Sequence, residues 1–322
     1  MLKTVNVKYC YLCGNEGDIL YEDLEDHLFG VGGKWEVKKC VNRDCGLLWL
    51  HHRPAMEDLG KAYENYYTHS ENEGHRRSSL AIRLQDAVHR RLTKLFDCLT
   101  GMSKEKRARD WLYIEKESFG KLLDVGCGNG RFLKKMAGAG WRVEGTDFDS
   151  AASNYVSSNY GIMVHTGDLV SVSYPAESFD VVVLQHVVEH LIDPVSVLKE
   201  CRRILRKGGK LILVTPNTES WGHKKYGRNW RGLEPPRHLF LFNSQNMRST
   251  VEKSGFQNIE TSTTPAGAWY ILGKSEEIER MSQNLPSKKY SILSNWLLQY
   301  YELFLQKRSP EQGEELVVVA IK

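Results

Sequence analysis

Three glycines and two acids carry the clearest chemical signal. Gly126, Gly128 and Gly130 stand in LLDVGCGNGRFL (122–133), between an apolar run that reads as a buried strand and a stretch that reads as a helix. Glycines at such a turn let backbone approach a ligand with no Cβ in the way. Asp147 ends the next strand-like run. A carboxylate there accepts hydrogen bonds from both hydroxyls of a ribose. Two kinds of nucleoside cofactor use this geometry. A dinucleotide needs G-x-G-x-x-G, because its pyrophosphate rests on the helix N-terminus. The spacing here is G-x-G-x-G, with Asp124 two residues before the first glycine. A carboxylate beside the loop repels pyrophosphate but suits a cofactor with an amino group and a sulfonium charge. The residues therefore favour S-adenosylmethionine over a nicotinamide dinucleotide.

Four cysteines form a second constellation. Cys10 and Cys13 are two residues apart and precede Gly14; Cys40 and Cys45 are four apart and precede Gly46. Four thiolates on two tight turns supply tetrahedral sulfur coordination, which suits zinc. A site closed by four cysteines has no position for substrate, so this zinc is structural. Cys98, Cys127 and Cys201 stand singly, unlike a disulfide framework. A third group follows the run FDVVVLQ (179–185), where Gln185, His186, Glu189 and His190 come close together. In a doubly wound fold, ligands lie beyond the carboxyl ends of the strands. Glu189 and His190 are the nearest pair for general acid–base work. The same H-x-x-E-H spacing also resembles an inverted metal-binding pattern.

The elements that must position these groups are legible as an alternation. KLLDVG (121–126), WRVEGTD (141–147), FDVVVLQ (179–185) and KLILVTP (210–216) read as buried strands, with helical stretches at 131–139 and 194–205. This predicts an α/β fold with a doubly wound, mostly parallel sheet. Gly208-Gly209 is expected to close the last helix. The final EELVVVAIK is β-branched and needs a sheet around it. The expected organisation is a four-cysteine ribbon at 1–53, a charged helical linker or cover at 54–119, and the α/β domain at 120–322 with a helical insertion at about 268–312. In the linker, Leu80, Leu84, Val88, Leu92, Leu95 and Phe96 recur at helical spacing, predicting a helix that covers the next domain. In the insertion, Ile292, Leu293, Trp296, Leu297, Tyr300, Tyr301, Phe304 and Leu305 do the same, bracketed by Lys288, Lys289, Lys307 and Arg308. Three readings of that face stay open: packing on the domain or closing its pocket, a peripheral membrane contact through 288–308, and a dimer contact.

Charge narrows the partners. The 44 Lys and Arg against 40 Asp and Glu leave a net charge of +4, and Asp18, Glu22, Asp23, Glu25 and Asp26 crowd the ribbon's central loop. Neither suits a phosphate backbone, so no nucleic-acid partner is expected. No apolar run reaches the roughly 20 residues that span a bilayer. The opening MLKTVNVKY lacks the apolar core of a secretory signal. The expectation is a cytoplasmic protein, peripheral to the inner membrane face at most.

DVGCGNG (124–130) resembles the first motif of class I S-adenosylmethionine-dependent methyltransferases. Asp147 resembles their ribose-binding acid, and Gly167-Asp168-Leu169 the segment that meets adenine, with Asp168 at the exocyclic amine. FDVVVLQHVVEHLIDP resembles their fourth strand and following loop, and RILRKGGKLILVTPN their fifth-strand motif. The resemblance covers about 120–265. It points to the group containing 3-demethylubiquinone O-methyltransferases and zinc-ribbon glycan-cluster methyltransferases. It implies a Rossmann-like, seven-stranded, mostly parallel sheet whose hairpin the last strand completes. It also implies a cofactor site of Asp124, Gly126, Cys127, Gly128, Gly130, Asp147, Phe148, Asp168, Leu169 and Gln185. EPPRHLFLFN resembles the P-R-H-L-x-x-F segment of the glycan-type members and implies a substrate-site role for His238, beside His190 and Glu189. Pro235-Pro236 predicts an extended approach to it. Trp221, Tyr226, Trp230 and Arg231 in the preceding loop suit a sugar or an anionic acceptor. The implied reaction is methylation of a small or carrier-linked acceptor, a sugar of a surface glycan or its precursor. O-methylation of a quinone precursor and RNA methylation are the alternatives.

Overall fold

The computed structural model describes residues 2–64, 91–114, 119–286 and 292–322, with side chains from 297 onward in the last segment. At the N-terminus, Thr4–Asn6 (β1) pairs with His52–Pro54 (β5), and between them run Gly17–Leu24 (β2), Trp35–Cys40 (β3) and Leu48–Leu50 (β4). Trp35, Val37, Trp49 and Leu50 are buried and make this ribbon's apolar side. Gly17 is required where it stands, because a Cβ there would lie 2.3 Å from the Trp49 ring.

The large sheet contains Lys121–Val125 (β6), Arg142–Asp147 (β7), Met163–Thr166 (β8), Phe179–Gln185 (β9), Leu205–Pro216 (β10), Gln257–Thr264 (β12) and Glu315–Ile321 (β13); the short Phe240–Leu241 (β11) lies outside it. Its order is β12-β13-β10-β9-β6-β7-β8. Only β13 runs antiparallel to its neighbours. This is the doubly wound, mostly parallel sheet that the alternation predicted, in the Rossmann-like, seven-stranded form that the resemblance implied. β6 and β9 are buried on both faces, as central strands flanked by helices must be. The strand order reverses between β6 and β9, which opens a crevice at their carboxyl ends. β10 begins at Leu205, before Gly208-Gly209, and passes those glycines through an irregularity in its pairing with β9.

The ribbon does not stand apart from this sheet. β11 pairs antiparallel with β4, matching Phe240 to Trp49 and Leu241 to Leu48, so the ribbon's sheet ends on a strand from the α/β region. Leu47, Trp49 and Leu50 join one continuous apolar core with Leu239, Phe242, Met247 and Leu213. Asn246 donates to the Cys45 carbonyl at 3.1 Å, and Lys253 to the Leu12 carbonyl at 2.8 Å. Tyr11 hydrogen-bonds Asp193 at the start of the helix Pro194–Ile204.

The helical expectations meet mixed outcomes. Leu80, Leu84 and Val88 lie outside the described residues. Leu92 and Leu95 are helical and exposed, while Phe96, partly exposed, meets the Tyr300 ring at 6.0 Å between centroids. Asp97 beside it pairs with Lys106 at 2.9 Å and accepts from the Tyr300 hydroxyl at 3.0 Å. The insertion forms Ala268–Ser282 and Ile292–Arg308. Gln299, Glu302 and Leu303 are buried against the protein's own domain, while Leu297, Tyr301 and Phe304 are exposed. Lys288 and Lys289, and the side chains of Ile292, Leu293 and Trp296, lie outside the described residues.

Because ribbon and sheet share a core, they are expected to unfold together. Trp49→Ala should cost about 3–5 kcal/mol, the usual loss for a buried aromatic. It should lower a single melting transition seen alike by circular dichroism and fluorescence. A separate, earlier transition confined to the ribbon would contradict the shared core.

Candidate functional site

The crevice is built first by backbone. After β6 the chain turns through Gly126, Gly128 and Gly130, all with positive φ, and enters the helix Arg131–Gly138. A Cβ at Gly126 would lie 2.6 Å from Val187, so this glycine lets the loop after β9 pack against the turn. Gly128 has φ +51 and faces open space. Asp147 holds the turn from the neighbouring strand: its Oδ2 accepts from Gly128 N at 2.7 Å and its Oδ1 from Asp149 N at 2.9 Å. Each oxygen keeps a lone pair for a ligand hydroxyl. Asp124 is buried behind the loop, and no described residue donates to its carboxylate. Burial, helped by the nearby charge of Asp147, pushes its pKa up to about 8. An open glycine cradle and an unpartnered buried carboxylate are the features that a cationic nucleoside cofactor would satisfy.

The other expected cofactor residues sit around this crevice in differing roles. Phe148 is exposed next to Asp147, where a ring can lie on a flat base. The Cys127 thiol packs against Gly145, whose own Cβ would be 2.9 Å from it, so only the backbone of Cys127 can face a ligand. Asp168 caps the short helix Leu169–Val172, its Oδ1 accepting from Ser171 N at 2.8 Å. Half of that carboxylate is therefore already committed. The Leu169 side chain is buried in the core, leaving its backbone alone for the site. Gln185 is half-buried at the end of β9.

Beyond β9 lies a buried polar cluster. His186 has φ +53, and its ring sits 3.3 Å from Glu189 Oε1 and 2.9 Å from Glu315 Oε1. Burial opposes its charge, but the two carboxylates outweigh burial and hold its pKa up at about 9. Glu315 is also gripped by Arg109, at 2.7 and 2.5 Å. Glu189 is fully buried; burial raises its pKa, yet the histidines around it bring it down to about 2. Its Oε2 accepts from the Thr215 hydroxyl at 2.9 Å. His190 Nδ1 donates to the Arg237 carbonyl at 3.0 Å and lies 2.9 Å from the Tyr63 hydroxyl. His238 Nδ1 donates to the Gly232 carbonyl at 2.7 Å, and its ring meets that of His190 edge-on at 4.7 Å between centroids. Burial dominates at His238 and lowers its pKa to about 4, so the ring is neutral.

The approach to His238 is a tight turn rather than an extended segment. Glu234 takes a left-handed conformation, and its carbonyl accepts from both Arg237 N and His238 N. The turn is fixed by charge: Glu234 pairs with Arg231 and Arg237, and Arg237 reaches Asp26 of the ribbon at 2.8 Å. Sequence reasoning thus brought Glu189, His190 and His238 together but did not rank His186 among the site residues, and it missed Tyr63, Arg109, Glu234 and Glu315. The signals for His186 were its place one residue past the strand and its position at the head of H-x-x-E-H.

The cysteines converge as their spacing implied. Cys10 and Cys45 sulfurs are 3.6 Å apart, Cys13 and Cys40 sulfurs 3.3 Å, and all four lie within 4.8 Å of one another. Sulfurs on a tetrahedral zinc with bonds of about 2.3 Å are about 3.8 Å apart. Backbone amides of Asn15, Asn42 and Leu47 donate to Cys13, Cys40 and Cys45, each from two residues on. Gly14 and Gly46 close the two turns with positive φ. The donor set and its second layer fit zinc.

Comparison with known proteins agrees with this geometry. A family model described as "Methyltransferase domain" matches residues 84–261. A probable S-adenosylmethionine-dependent methyltransferase of Mycolicibacterium smegmatis is 33% identical over 141 residues, covering 44% of this chain and 53% of that protein. A ubiquinone biosynthesis O-methyltransferase of Haemophilus ducreyi is 35% identical over 120 residues, covering 33% of this chain and 50% of its own. The chain thus spans about half the length of the curated relatives it matches. Among solved structures, a SAM-dependent methyltransferase from Archaeoglobus fulgidus aligns at 17% identity with a TM-score of 0.46, covering 71% of this chain and 99% of that one. The family model takes in more than half of the sequence, including the glycine turn, Asp147 and the loop after β9, and the chain belongs to the methyltransferase-domain family.

Proposed function

We propose that the chain is an enzyme that transfers the methyl group of S-adenosylmethionine to a hydroxyl of a small or carrier-linked acceptor. One observation carries this reading. Val187 packs into the glycine turn at Gly126, so the segment bearing His186, Glu189 and His190 is fixed directly against the cofactor loop. Gly126 to Gly130 would admit the cofactor backbone, Asp147 would take its ribose, Phe148 its base, and Asp124 would face its positive charge. The bound cofactor supplies an activated methyl group. The protein's task is then to place an acceptor oxygen in line with it, and positioning accounts for much of such a rate. The rings of His190 and His238 are equipped to receive that oxygen and its proton.

A sugar of a surface glycan or its precursor is the acceptor we favour. The likeness of EPPRHLFLFN to the glycan-type segment supports it; Tyr226 and Trp230, expected to suit a sugar, are instead buried in the core, with Trp230 Nε1 donating to Glu314 at 2.9 Å. A quinone precursor is the second reading, supported by the relative from Haemophilus ducreyi. We further propose that Cys10, Cys13, Cys40 and Cys45 hold one structural zinc. Its part is to fix the ribbon whose Asp26 anchors Arg237, the residue just before His238. No helix among the described residues is long and apolar enough to cross a membrane.

Calorimetry tests the cofactor assignment. Asp147→Ala should weaken S-adenosylmethionine binding by roughly one to two orders of magnitude, since hydrogen bonds to charged groups are worth about 1.5–3 kcal/mol; equal affinities would refute the role. Asp124 adds a pH signature. Its folded pKa, about 8, lies above the unfolded value of 3.8, so its contribution to the free protein's stability declines as pH rises between those values. A cationic cofactor prefers the ionised carboxylate, so wild-type affinity should rise toward pH 8 and above, and Asp124→Asn should flatten that rise. Transfer of labelled methyl to extracts fractionated into lipid, nucleotide-sugar and RNA pools identifies the acceptor. Label should enter a glycan precursor and be lost strongly in His238→Ala with cofactor affinity unchanged; label confined to RNA would overturn the reading.

A further inference from the structure

The buried cluster brings two histidines and a carboxylate together in the manner of a metal site. Carbonyl oxygens only accept hydrogen bonds, so Nδ1 of His238 carries the proton it gives to Gly232, and Nδ1 of His190, between the Arg237 carbonyl and the Tyr63 hydroxyl, is likewise engaged by its neighbours. A ring that holds its proton at Nδ1 alone offers its Nε2 to a metal. In His238 this nitrogen sits 4.0 Å from Glu189 Oε1 and 3.4 Å from Glu234 Oε2. Glu189 Oε1 is buried and, apart from the His186 ring 3.3 Å away, has no hydrogen-bond partner among the described residues. Acceptor atoms of Glu189 and His238 thus converge at one buried point.

From this we infer that Glu189, His190 and His238 bind a divalent first-row transition metal ion, at a second metal site separate from the four cysteines. One ring nitrogen of each histidine and a carboxylate oxygen of Glu189 lie within 4.8 Å of one another. Tetrahedral nitrogen and oxygen ligands at about 2.1 Å from a metal stand about 3.4 Å apart, so a small inward movement closes the site. Two imidazoles and one carboxylate suit zinc, iron or manganese and are too nitrogen-rich for calcium or magnesium. The outer layer is already in place. Each histidine gives its other N–H to a main-chain carbonyl, and Glu189 is oriented by the Thr215 hydroxyl. Such partners fix the tautomer and aim of metal ligands.

Three protein ligands leave a coordination position open, as in catalytic rather than structural sites. That position is open to an oxygen ligand such as water or substrate. If the proposed reaction holds, that oxygen is the ionised hydroxyl of the acceptor, and the histidines act as ligands rather than as a base.

Cobalt titration of the full chain, stripped of metal by a chelator, tests the site with no acceptor present. Its result is therefore independent of which acceptor is methylated. Two equivalents should bind per chain by mass spectrometric metal analysis. One should show intense sulfur-to-cobalt absorption and vanish in Cys13→Ser. The other should show only weak visible bands and vanish in His190→Asn and His238→Asn, whose amides can still donate to Arg237 and Gly232 but lack the Nε2 atom. S-adenosylmethionine affinity and the sulfur band, both retained, show that these variants fold. If one of them does not fold, the other and Glu189→Gln decide the matter. A single equivalent lost entirely in Cys13→Ser, or a second equivalent that survives these substitutions, overturns the inference.

Discussion

Glu189 is a carboxylate with no access to water, and much of the molecule around the crevice is organised to make that tolerable. An ionised acid buried without partners costs several kcal/mol. Here the compensation comes from far along the chain. His186 stands on one side, and behind it Glu315 and Arg109 extend the charge pairing to the edge of the sheet. On the other side are His238, Glu234, Arg231 and Arg237, and then Asp26 of the ribbon. Removing one member would strand its neighbour, so the network is rigid because each charge forbids the others to leave. Such rigidity is what in-line transfer asks of an acceptor site.

The glycine turn, its acid and the cysteine pairs were legible in the sequence because their chemistry is local. A turn with positive φ, a strand end and a four-thiolate set declare themselves by residue type and short spacing. The charge network was not legible, since Arg109 and Glu315, His186 and Glu315, or Tyr63 and His190 are joined only by the fold. The register of the helix through Asp97 was hidden for a related reason, since it is held by the Asp97–Lys106 ion pair, the hydrogen bond from Tyr300 and the Phe96–Tyr300 ring contact. The two prolines before His238 gave the wrong approach. Glu234, bound to two arginines, pulls the backbone into a turn that local preference alone does not predict.

The ribbon changes meaning once the shared core is seen. Four cysteines at an N-terminus suggest an attachment that touches something else. The structure instead makes the ribbon a wall of the site, through the Asp26–Arg237 pair and the strand pairing beside His238. A metal bound there would act on the acceptor pocket through rigidity, at a distance, without touching substrate.

The pairing of β4 with Phe240–Leu241 also bears on how the chain is made. The ribbon's strands leave the ribosome early, while the strand that completes their sheet is synthesised long after them. Until then Trp49 and Leu50 face a missing neighbour, and the ribbon carries an apolar open edge of the kind that invites wrong pairing. Contacts between such distant segments slow folding, and the waiting intermediate is prone to aggregation. Early capture of metal by the cysteines would stiffen that edge during the delay, giving the thiolates a task in biogenesis that ends when Phe240 and Leu241 arrive.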